Sequence, residues 1–213
     1  YYYKKAKEDK YRSRAAYKLF QTVEKYRLMK NGDVVVDLGA APGGWLQVAR
    51  ELSGSRVLGV DLQAIEPIEG VETIRGDMRA RATIESIAEK VEKADGVISD
   101  AAPDLSGNWS YDHARSIDLA SAAFEAAKQI LRPGGNFVVK VFQGDMYEGF
   151  LNKVKKEFLQ VKAYKSEASR KESAEIYIVA KGLLSSPVRA GEVHEVVIEG
   201  TGKNGDGIAR IQG

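Results

Sequence analysis

The chain has no cysteine and only two histidines among its 213 residues. Disulfides, thiolate zinc sites and cysteine nucleophiles are therefore excluded, and a histidine-rich metal centre is not expected. No apolar run approaches the roughly 18 residues that a membrane helix needs. No basic, apolar, small-residue leader is recognisable either, so a cytoplasmic protein is the expectation. Charge of one sign is also scarce overall, with a net charge of only +2. It is unevenly placed, however. Residues 1–31 hold ten Lys or Arg against three acids, and the rest of the chain is net acidic. Such asymmetry points to a polyanionic partner met by a basic N-terminal arm, unless the arm is merely a solvated terminus. The 44% hydrophobic content suffices for one full core and a small appendage.

The most informative stretch runs from Val34 to Arg50. Val34, Val35 and Val36 read as a buried strand that Asp37 ends. Gly39-Ala-Ala-Pro-Gly43-Gly44 is a loop of small residues, and Trp45-Leu46 opens a helical pattern. A strand passing through glycines into a helix brings backbone close to a ligand. The proline before the glycine pair departs from the G-x-G-x-x-G dinucleotide fingerprint. Two further strand-like runs end at Asp61 and Asp77. Carboxylates at three strand ends suit ribose hydroxyls, an adenine amine and a cationic centre better than a pyrophosphate. S-adenosylmethionine carries those features. The bland alternative is three solvated turn residues. With no cysteine, the cysteine-adduct route to methylating pyrimidine carbons is closed.

Along the chain, residues 1–10 read as loosely ordered, and Tyr11–Lys30 carries a helical pattern stopped by Asn31-Gly32. Strand-like and helix-like segments then alternate, which predicts a mostly parallel sheet with helices on both faces. Phe158–Lys165 and Glu175–Lys181 follow one another with no helix between them, so that pair is expected to be antiparallel. The fold class is thus α/β, a doubly wound, Rossmann-like methyltransferase fold. Its seven-stranded sheet is mostly parallel with the last strand antiparallel. Residues 1–31 form a basic arm and helix, 32–182 the methyltransferase domain, 183–187 a linker and 188–213 a β module that is expected to be cut short.

Lys140 interrupts the apolar strand Asn136–Phe142, and a lysine there needs a partner or a function. Asp100 ends the neighbouring strand and Glu175 begins the last one, while Lys18 sits on the basic helix. Together they can make a Lys-Asp-Lys-Glu cluster at the rim of the cofactor pocket, or a structural ion-pair network. Asp100-Ala-Ala-Pro103 is followed by Asp104, not by the aromatic residue that holds an adenine amine, which favours an oxygen acceptor. Trp45 either stacks near the cofactor or packs into the core, packing being the commoner fate. Trp109 and Tyr111 can stack on an RNA base or cover the pocket.

Five segments, Arg12–Leu19, Val36–Trp45, Ser99–Pro103, Val138–Gly144 and Glu175–Ala180, resemble the FtsJ/RrmJ family of ribose 2′-O-methyltransferases over roughly residues 8–182. The resemblance implies Lys18, Asp100, Lys140 and Glu175 as a catalytic tetrad with Lys140 as proton acceptor. It implies Gly43, Trp45, Asp61, Asp77 and Asp100 as S-adenosylmethionine ligands, and a uridine of large-subunit rRNA, naked or in a ribosomal particle, as substrate. Arg12 and Arg14 are the expected RNA contacts. No metal is expected, and the oligomeric state is left open. The tail from Val188 resembles the start of a TRAM domain, a small RNA-binding barrel carried by archaeal members. Other readings are a tRNA or cap ribose methyltransferase, a non-catalytic RNA-binding protein, and a nicotinamide-dependent oxidoreductase that the loop spacing disfavours.

Overall fold

A computed structural model describes residues 1–170, 172–184, 196–202 and 205–209. In chain order the elements are α1 (Tyr2–Glu8), α2 (Ala16–Tyr26), β1 (Val35–Leu38), α3 (Gly44–Ser53), β2 (Val57–Asp61), β3 (Val71–Arg75), α4 (Arg81–Val91) and β4 (Ala94–Ser99). They continue with α5 (Trp109–Ile130), β5 (Leu131–Phe142), α6 (Tyr147–Lys155), β6 (Phe158–Tyr164), β7 (Glu175–Leu183), β8 (Ile198–Thr201) and β9 (Gly207–Ala209). The seven-stranded sheet has the order β3-β2-β1-β4-β5-β7-β6. Its first four pairings are parallel, and β7 lies antiparallel to both β5 and β6. The last strand in sequence is therefore an interior strand of the sheet.

Side-chain alternation divides the core into two layers. Val36, Leu38, Phe137, Val139 and Ile178 pack with Ile87, Ile117, Phe124 and Phe150 of α4, α5 and α6. Val35, Ile98, Val138 and Tyr177 pack with Leu19 and Val23 of α2 and Leu46 and Val48 of α3 on the other face. The crossing point of the strand order lies between β1 and β4, where open α/β sheets bind ligands.

The N-terminus differs from the sequence expectation in two ways. Residues 2–8 form a helix, because Ala6 is buried in a small cluster with Tyr17 and the distant Ala168. Tyr17 adds a hydrogen bond from its hydroxyl to Asp9. The following helix begins at Ala16, not at Tyr11. Arg12 N donates to Gln47 Oε1 at 2.9 Å, and Gln47 Nε2 donates back to Lys10 O at 3.1 Å. Those bonds to α3 hold the segment off the helical path. In the tail, β8 and β9 form an antiparallel pair. Of the expected linker 183–187, Leu183 belongs to β7, while residues 185–187 and residues 191–195 of the expected tail strand lie outside the described residues. No helix among the described residues is long and apolar enough to cross a membrane.

Candidate active site

The four residues expected to act together do meet. Register pairs Lys140 with Tyr177 and Phe142 with Glu175, so strand alternation puts these four side chains on one face. α2 packs on that face and delivers Lys18. Lys18 Nζ lies 2.5 Å from Glu175 Oε1. Lys140 Nζ donates to the Asp100 carbonyl at 2.6 Å and lies 3.1 Å from Asp100 Oδ1. Lys18 and Lys140 are buried, only 5% and 8% exposed. Two buried ammonium groups are thus matched by two carboxylates, the condition under which buried charge is tolerated. Burial alone would push the Glu175 carboxyl up. The adjacent Lys18 and the charge of Lys140 outweigh it and hold Glu175 below the usual carboxylate range.

A fifth member, Tyr177, was not anticipated from the sequence. Its hydroxyl donates to Asp100 Oδ1 at 2.7 Å. Burial first, then the charges of Asp100 and Glu175, push this hydroxyl well above the ordinary phenol value. It therefore remains a donor and shares Asp100 Oδ1 with Lys140, so one carboxylate oxygen is held from two directions. The signal was present, since Glu175 and Tyr177 stand two apart in a strand and must share a face.

Beside the quartet opens a cleft of about 720 Å³, whose lining includes Gly39, Asp61, Asp77, Asp100 and Pro103. Asp61 is set by its own loop contacts, accepting from Ala41 N at 2.9 Å and from Gln63 N at 2.8 Å. Asp77 accepts from Arg79 N at 2.9 Å. Beneath them lies Asp37, 1% exposed, with neither carboxylate oxygen hydrogen-bonded among the described residues. Burial, with the charges of Asp100 and Asp61 added to it, raises its carboxyl well above the usual range. A cluster of acids, one of them unpartnered, at a strand-end cleft fits a ligand with hydroxyls, an amine and a positive centre. No group of three or more His, Cys, Asp or Glu placed to hold a metal ion occurs among the described residues.

Asp37 carries a pH prediction. A carboxyl raised on folding binds its proton in the folded state over a pH range where the unfolded chain has lost it. Its cost is therefore absent below the unfolded value and accrues as pH rises toward the folded one. Asp37→Asn is expected to match the parent in stability near the acid end and to gain on it as pH rises above the unfolded carboxyl value, by up to about 1.4 kcal/mol per pH unit, and so by about 1–3 kcal/mol within the first two units. In thermal melts that is a gain of roughly 2–10 °C for a chain this size. A variant less stable than the parent at every pH defeats this account.

Gly43, Trp45 and Arg12 turn out differently placed. Gly43 and Trp45 line no part of the cleft. Trp45 is buried, its indole N–H donates to Ala15 O at 2.8 Å, and its ring packs 5.7 Å from that of Tyr177. A Cβ on Gly43 would meet Ile68 Cδ1 at 2.8 Å and Arg12 Nη1 at 3.1 Å, and one on Gly44 would meet Ser13 Oγ at 2.5 Å. The glycine pair thus admits the N-terminal arm, whereas Gly39 faces the cleft. Arg12 donates to the carbonyls of Pro42, Glu66 and Pro67 at 3.0, 2.7 and 2.8 Å. Its guanidinium is committed to the fold, not held out for a phosphate. Arg14 is half-buried and has no hydrogen-bond or ion-pair partner among the described residues.

The chain is similar to known proteins over most of its length. The sequence matches the FtsJ-like methyltransferase family over residues 11–183. It is 61% identical over its whole length to Ribosomal RNA large subunit methyltransferase E of Methanothrix thermoacetophila, covering 84% of that protein. It is 53% identical to the protein of the same name from Natronomonas pharaonis, again over its whole length and covering 85% of that relative. A solved structure named as a ribosomal RNA methyltransferase, from Plasmodium falciparum, superposes with a TM-score of 0.75 at 30% identity, over 82% of this chain and 99% of the other.

Proposed function

Because this chain belongs to the FtsJ-like methyltransferase family, we propose that it methylates the 2′-oxygen of a uridine in large-subunit rRNA, using S-adenosylmethionine. The observation that carries the reading is the buried meeting of Lys18, Asp100, Lys140 and Glu175 at the edge of an acid-lined cleft. S-adenosylmethionine supplies an electrophilic methyl on a sulfonium. Asp61 and Asp77 hold hydroxyl and amine groups of the ligand, and together with Asp100 they give the cleft a negative field suited to a cation. Lys140 is fixed at two points by Asp100, so its nitrogen is presented in one position. Once it has lost its own proton to solvent, the neutral amine there accepts the 2′-hydroxyl proton while the oxygen takes the methyl and the sulfonium leaves as a neutral thioether. Lys18 and Glu175 form the opposite wall and orient the sugar by hydrogen bonds. Arg14 and the exposed lysines of α1 meet the phosphates. The names of the archaeal relatives support large-subunit rRNA as the substrate. The tail from Val188 is read as the start of a TRAM-type RNA-binding module.

The deciding experiment is incubation with methyl-labelled S-adenosylmethionine and rRNA from a strain lacking the protein. Label is expected in one ribose-methylated uridine of the large-subunit RNA, with none in tRNA. Label confined to tRNA would move the substrate to the tRNA branch, and absence of transfer with intact cofactor binding would favour a non-catalytic RNA-binding protein.

A further inference from the structure

A second hollow, of about 290 Å³, has walls that include Leu105, Gly107, Trp109, Phe142, Ser173 and Ala174. It abuts the quartet through one chain neighbour and one cross-strand partner. Ala174 directly precedes Glu175, and Phe142 is the register partner of Glu175. Phe142 also stands two residues beyond Lys140 on the same strand face, so their roots are separated by about 7 Å. That is of the order of the reach from a ribose 2′-oxygen to its own base.

The hollow has an aromatic wall that is open to solvent. Trp109 is 50% exposed. Its ring lies nearly parallel to that of Phe142, at 21° and 6.1 Å between centroids, and to that of His113, at 19° and 5.9 Å. It is not a fraying residue. Trp109 opens α5 just after Asn108, whose side chain caps the helix by accepting from Tyr111 N at 3.2 Å. The loop before it is tied down by the Asp112 carboxylate, which accepts from Ser106 N at 2.9 Å, Gly107 N at 3.2 Å and Ser106 Oγ at 2.8 Å. Asp112 also borders the hollow, but these loop donors already engage its carboxylate. Among the described residues, Ser173 is the only hydroxyl residue of the walls. A held, half-open indole over a hollow with so few free polar groups suits a flat, uncharged ring.

We propose that this hollow seats the base of the nucleotide whose ribose is methylated, with Trp109 as its stacking wall; the inference rests on the 2′-O-methyltransferase reading above. Stacking with little hydrogen bonding selects for flatness more than for base identity. The acceptor must then leave its own stack, so an unpaired nucleotide is the substrate and the same nucleotide held in a duplex is not.

The test compares the parent with Trp109→Ala and Trp109→Phe, using labelled S-adenosylmethionine and large-subunit rRNA. The alanine variant is expected to lose roughly ten- to a hundredfold in kcat/KM for RNA, mostly through KM, as removal of one base-stacking partner does. The phenylalanine variant should recover most of it. S-adenosylmethionine affinity by calorimetry should be the same in all three, because Trp109 does not line the larger cleft. Single-stranded oligouridine should quench the fluorescence of the parent, and Trp109→Phe should abolish that quench, Trp45 being buried. An alanine variant with the parent's KM, or a loss that phenylalanine does not restore, overturns the base site. If the parent transfers no methyl to RNA, the enclosing reading fails, and the oligouridine quench alone then decides whether the hollow takes a base.

Discussion

Lys140→Met is expected to lower the rate of methyl transfer by about a thousandfold or more, within the range ascribed to a positioned proton acceptor. Methionine keeps the stem that packs in the strand and removes the nitrogen. Binding of S-adenosylmethionine should survive, because Lys140 does not line the cleft and Asp100 keeps the Tyr177 hydroxyl. Lys140→Arg separates two roles that the same nitrogen can play. Arginine retains the positive charge but cannot take a proton at any working pH. If Lys140 is the acceptor, the arginine variant is as inactive as the methionine variant. If it serves only to neutralise Asp100 and a developing alkoxide, arginine retains a substantial share of the rate. Single-turnover transfer with calorimetry alongside reads both quantities. A methionine variant within tenfold of the parent would end the proposed role.

Gly39→Ala is expected to have the largest effect on the scaffold. Gly39 has a φ of +75°, which an L side chain rarely adopts. A Cβ there would lie 2.6 Å from Ala101 Cβ and 3.3 Å from Ala101 Cα. Ala101 follows Asp100, so relief of the clash must push the loop that holds Asp100 away from β1. The backbone and overpacking costs together come to about 2–5 kcal/mol, or roughly 5–15 °C in Tm. Cofactor affinity should fall with it. Gly32→Ala is the matched control, since Gly32 has a φ of +93° with nothing within 4 Å of the added carbon. It shares the backbone penalty without the collision. Equal losses for the two variants would show that the contact with Ala101 is unimportant.

The sheet and the quartet were legible because both depend on patterns that tertiary structure rarely overrides. Acids at the ends of apolar runs fall at the carboxyl edge of a parallel sheet, and a lysine inside an apolar strand demands a partner. The absence of a helix between β6 and β7 foretold their antiparallel pairing. Other features rest on contacts between residues far apart in the chain. Residues 2–8 have no apolar stripe of their own, and Ala6 becomes helical core only against Tyr17 and Ala168. Counting charges marked Arg12 as a phosphate ligand, but a count cannot tell whether a guanidinium is already bound to three carbonyls. The run Gly39 to Gly44 reads as one ligand loop, yet its first glycine and its last two serve opposite neighbours.

The placement of β7 bears on how the protein is made. Glu175 reaches Lys18 only after the final strand has slotted between two that were synthesised before it. The residues that line the larger cleft, by contrast, all precede residue 120, so in synthesis the cleft's walls come before the strand that completes the quartet. A chain ending before residue 175 lacks both the carboxylate that meets Lys18 and the Tyr177 hydroxyl that meets Asp100, so the quartet cannot assemble in it.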